Sequence, residues 1–189
     1  MKSNRAVSPV ISVILMVAIA VILTATISIF VLGFTEDLND TAPVVGQTSG
    51  EFEPGSSSDK QIVRITHEAG DQVNVEDIEI LVSASGPGVD TEARLVDLPG
   101  DGYYTGALAD SNIQGNEDLI DQSYKSTKVI VVDDSNEWTA GDTIEFRIGV
   151  TAADFRDSPT YDDADELEVT IVYTDTESSA ILFEETFRP

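Results

Sequence analysis

AVSPVISVILMVAIAVILTATISIFVLGF, Ala6 to Phe34, is the stretch on which the chain is organised. It holds no charged residue, and nothing later in the sequence is comparably apolar. As a helix it would run about 43 Å at 1.5 Å per residue, against a hydrocarbon layer of roughly 30 Å, which predicts a single membrane span. Ser8, Ser12, Thr24, Thr26 and Ser28 are compatible with that span, because a hydroxyl can bond back to the carbonyl one turn earlier. Pro9 falls in the first turn, where its missing N–H has no helical partner in any case. Small residues at Ser12, Ala18, Ala20, Ala25 and Ser28 would let another helix approach closely.

The flanks orient the span. Lys2 and Arg5 precede it, while Glu36, Asp37 and Asp40 follow, so the basic end stays in the cytoplasm and the rest is exported. An ordinary signal peptide has a shorter apolar core and a small-residue cleavage site, and no Ala-x-Ala occurs between Gly33 and Thr41. A permanently uncut anchor remains the alternative on hydropathy alone.

All 35 acidic residues lie from Glu36 onward, against 8 Lys and Arg there, a net charge of −27. Such a surface repels nucleic acid and anionic headgroups, and it points to a high-salt exterior where screening suppresses self-repulsion. The acids are interleaved with Ile, Val, Leu, Tyr and Phe in strand-like alternation, so a folded domain is expected rather than a disordered tail. Cysteine is absent, which excludes a disulfide scaffold.

The run Arg5-Ala6-Val7-Ser8-Pro9-Val10-Ile11-Ser12-Val13-Ile14-Leu15-Met16-Val17-Ala18 resembles the N-terminal domain of haloarchaeal type IV pilins. Ser12 stands where many members of that family have glycine. The segments Thr66-His67-Glu68-Ala69-Gly70-Asp71 and Trp138-Thr139-Ala140-Gly141-Asp142 are similar, less specifically, to the globular parts of such pilins. The resemblance implies a processing motif at Arg5, Ala6, Val7, Ser8 and Pro9, cut before or after Ala6 by a membrane prepilin peptidase. It also implies other pilin subunits, an assembly ATPase with its membrane platform, and a cell or abiotic surface as partners, with no catalytic activity and no cofactor. No phosphate-binding loop occurs in this chain, so the energy for assembly would come from another protein.

The expected organisation is α+β: a basic leader over 1–6, a long hydrophobic helix over 7–34, an acidic stalk over 35–59, and an antiparallel β-sandwich-like domain over 60–189. The stalk has turn composition, with one short strand between Phe52 and Glu53. Asn39-Asp40-Thr41 is the only N-x-[ST] sequon, and it lies on the exported side. Strands are predicted at Ile62–Thr66, Asp77–Ser83, Ala93–Leu98, Lys128–Val132, Thr143–Val150, around Leu167–Tyr173, and at Ala180–Phe183. Tyr103–Tyr124 reads as a long loop with a short helical turn.

Candidate chemistry is sparse. His67 is the only histidine, so no histidine cluster can hold a transition metal, and its place before a turn predicts a solvated or hydrogen-bonded surface residue. Trp138 is expected to pack at the edge of the sheet core. Asp133-Asp134, Asp154, Asp157 and Asp162-Asp163-Asp165-Glu166 read as solvated carboxylates, with a Ca²⁺ site as the alternative; none has the twelve-position calcium-loop pattern. Three functions are therefore weighed: a filament subunit, a membrane-tethered binding protein that never polymerises, and a surface enzyme, for which no catalytic constellation is visible.

Overall fold

A computed structural model describes residues 11–25, 42–55, 61–100, 108–122, 136–175 and 179–189. The chain divides into two compact units, Met1–Thr41 and Ala42–Pro189. In the first, residues 11–25 form a helix, α1, whose residues are all exposed. Among the described residues no helix is long and apolar enough to cross a membrane. The span expected over 7–34 extends past α1 at both ends, outside the described residues.

The second unit is built from antiparallel strands: β1 (Val45–Glu53), β2 (Gln61–Gly70), β3 (Val73–Asn74), β4 (Ile78–Ser85), β5 (Asp90–Leu95), β6 (Ile113–Gly115), β7 (Glu137–Trp138), β8 (Thr143–Ile148), β9 (Glu166–Thr174) and β10 (Ser179–Phe187). They form a three-stranded sheet in the order β1-β2-β8, a five-stranded sheet in the order β10-β9-β4-β5-β6, and the pair β3-β7. With the helix, the chain is α+β.

Period-two alternation decides which face of each strand is buried. On β4, Ile78, Ile80, Val82 and Ala84 are enclosed, and the cross-strand partners of the last three, Ile171, Val169 and Leu167 on β9, are enclosed with them. On β8, Ile144, Phe146 and Ile148 do the same, with Val63 opposite Phe146 and Ile65 opposite Ile144 on β2. These residues, from both large sheets, belong to one hydrophobic core. Burying a Val, Ile, Leu or Phe side chain contributes about 1.5–3 kcal/mol, so this alternation is the main source of the unit's stability.

Several expectations change. The segment read as stalk carries the nine-residue strand β1 from Val45, paired with β2 along its length. Its polar, glycine-containing sequence has weak strand propensity, and the pairing is set by β2 and by contacts with the last strand. Gly50 leaves a notch there. A Cβ at this position would run into the side chains of Phe183, Glu185 and Phe187 on β10. The neighbouring Phe52 ring lies 5.1 Å from Phe155, edge-on, and 5.9 Å from Phe187.

The final strand is longer than Ala180–Phe183. A register irregularity between Ile181 and Phe183 lets Leu182 and Phe183 both be buried, while Ile181 stays 61% exposed. The strand expected at Ala93–Leu98 starts and ends earlier, at Asp90–Leu95, and Val96 and Leu98 are buried beyond its end. The long loop contains two 3-10 turns, Asp110–Asn112 and Glu117–Leu119, flanking the edge strand β6. Its Asn residues, read as loop composition, are caps and ties. Asn116 accepts a bond from the Asp118 N–H, while the Asn112 amide donates to the carbonyls of Val96 and Asp97. The strand expected at Lys128–Val132 lies outside the described residues.

Candidate functional site

In α1 every residue except Ser12 and Thr24 is apolar, and Ile11, Val13, Ile14, Leu15, Met16, Val17, Ile19, Val21, Ile22 and Leu23 are all more than half exposed. Thr24 turns its hydroxyl back to the Ala20 carbonyl at 2.7 Å, so it presents no unsatisfied donor to an apolar surrounding. A helix that is apolar all round is not stable against water; it calls for lipid or other helices around it. The processing motif, Arg5, Ala6, Val7, Ser8 and Pro9, and the sequon Asn39 lie outside the described residues.

In the β unit, four polar side chains are buried among the described residues: Gln61, His67, Asn112 and Asp154. His67 is a correction to the surface position expected for it. Strand β2 continues to Gly70, so His67 shares the inward parity of Gln61, Val63 and Ile65 and is fully enclosed. Its ring lies 5.0 Å from that of Trp138, with Nδ1 3.3 Å from the Trp138 carbonyl. Trp138 is fully buried within the hydrophobic core, and its indole N–H donates to the Asp142 carbonyl.

The two distal segments singled out in the sequence therefore meet at one corner. The His67 N–H donates to the Asp142 carbonyl at 3.0 Å, and the Gly141 N–H donates to the His67 carbonyl at 2.7 Å. Gly141 has φ +103°, which favours glycine, and the Asp142 carboxylate accepts from both the N–H and the hydroxyl of Thr139. This is a structural tie between β2 and the turn before β8.

The acidic runs separate into two kinds. Asp154 is fully buried and gathers five donors: Nε, Nη2 and the backbone N–H of Arg156, and the backbone N–H groups of Thr160 and Tyr161. The Arg156 guanidinium, joined by those backbone N–H groups, holds the carboxyl well below the usual range against the opposing effect of burial. Asp154 is thus the closure of the loop up to Ala164, not a solvated acid. Asp157, Asp162, Asp163 and Asp165 are exposed, and Glu166 pairs with Arg188. Asp133 and Asp134 lie outside the described residues. Among the described residues no three His, Asp or Glu side chains are placed to hold a metal ion.

Sequence reasoning missed Gln61. Its amide Nε2 donates to the Ala153 carbonyl at 2.7 Å, and its Oε1 accepts from the Phe155 N–H at 2.7 Å, so one buried side chain fastens the 153–155 segment to β2. Nothing local marks it, because its partners lie more than 90 residues away. The unit also has an open cleft of about 460 Å³, lined by Asp110, Glu117, Asp118, Asp121 and Tyr161 over the backbone at Gly149 and Val150.

Residues 5–46 match the family model described as archaeal type IV pilin, N-terminal. A protein of Archaeoglobus fulgidus, described as uncharacterized, is 44% identical over 80 residues, covering 42% of this chain and 53% of that protein. The match therefore spans about half of that relative. The apolar helix α1 lies wholly inside the matched segment, so what is similar to archaeal type IV pilins is the N-terminal part of the chain, residues 5–46.

Proposed function

We propose that this chain is a pilin, the structural subunit of an extracellular type IV pilus, polymerising through its N-terminal helix and displaying the β unit outward to support adhesion to a cell or abiotic surface. The observation that carries this reading is α1 itself: an uncharged helix, exposed all round, inside the pilin-family segment. Its cover is lipid before assembly and sibling helices afterwards. Both surroundings are dry, so the change from one to the other is favoured by close side-chain packing rather than by apolar burial.

The remaining parts follow from that role. A prepilin peptidase cuts beside Ala6, removing Lys2 and Arg5, whose charges anchor the precursor at the headgroups and would otherwise have to be desolvated among helices. An assembly ATPase and its membrane platform then extract the single-pass precursor. The β unit is a sandwich, its two large sheets sharing one core and leaving acidic outer faces to a saline exterior. Asn39, on the exported side of the span, carries an N-linked glycan.

The test is to shear filaments from the cells and determine the mature N terminus and peptide masses of their subunits. A start at Ala6 or Val7, with added mass on the Asn39 peptide, is expected. Recovery of the chain only as full-length protein in membranes would replace the filament reading with that of a tethered binding protein. An unmodified Asn39 peptide as the sole species would remove the glycan.

A further inference from the structure

We draw no further inference here: the strongest candidate, the open cleft lined by Asp110, Glu117, Asp118, Asp121 and Tyr161 beside the turn at Gly149, is a cluster of carboxylates with no second feature in the fold that points to what it would hold.

Discussion

Replacing Gly149 with alanine tests how the loop after β6 is held on the three-stranded sheet. Gly149 follows β8 directly, and its φ is not positive, so an alanine could adopt its backbone conformation without strain. Space is the obstacle. A Cβ there would fall on the Asp118 carbonyl oxygen, far inside the 3.0 Å that real Cβ atoms keep. The oxygen belongs to the backbone of the Glu117–Leu119 turn, which cannot swing aside as a side-chain tip would. Moving it strains two hydrogen bonds that fasten this turn: Gly149 N–H to the Leu119 carbonyl at 2.8 Å, and Asp121 N–H to the Arg147 carbonyl at 2.9 Å.

Two weakened bonds at about 1 kcal/mol each, with about 1–3 kcal/mol for the forced backbone shift around buried Leu119 and Ile120, give a loss of roughly 3–5 kcal/mol. For a unit of this size that lowers Tm by roughly 6–20 °C. Urea and thermal unfolding of the Ala42–Pro189 unit would measure it, with the chain's single, buried Trp138 as the fluorescent probe. Gly141→Ala is the control: φ is +103° and no atom lies within 4 Å, so only backbone strain of about 1–2 kcal/mol is expected. Gly149→Ala costing less than about 0.5 kcal/mol, or less than Gly141→Ala, would refute the close-approach argument.

Asp154→Ala leaves Arg156 without its buried partner and is expected to cost about 3–5 kcal/mol in the same unfolding assay; an effect under about 1 kcal/mol would show that the ion pair does not close the loop. Because the folded-state pKa of Asp154 is depressed, its contribution is fully present above the ordinary Asp value of about 3.9 and drains away as pH falls toward the folded value. Wild type should therefore lose more stability than Asp154→Asn between about pH 5 and pH 2, and parallel pH profiles would contradict the assignment. Gln61→Leu orphans the Phe155 N–H and the Ala153 carbonyl, at about 2–4 kcal/mol, and hydrogen exchange at Phe155 should accelerate before that at the centre of β2; unchanged exchange would remove the clamp. Changing Arg5 and Ala6 together to residues the peptidase rejects should leave full-length precursor in membrane fractions, and normal filaments of the uncut variant would overturn the processing scheme.

Much of the architecture was legible because its cause is local. An uncharged run declares a helix that must avoid water, and strict alternation in Ile144–Ile148 and Leu167–Ile171 declares which side chains face inward.

The sequence by itself determined the apolar helix, the acidic exterior and the inward faces of the central strands, since each depends on the order of polar and apolar groups along a few residues. Only the tertiary structure decided that polar Val45–Glu53 is a strand, that His67 lies under Trp138, that Gln61 ties down a segment more than 90 residues away, and that Asp154 is a buried anchor among exposed acids. Strand pairing at a sheet edge and the satisfaction of a buried polar group both depend on partners distant in the chain. No local pattern of hydrophobicity or charge encodes them.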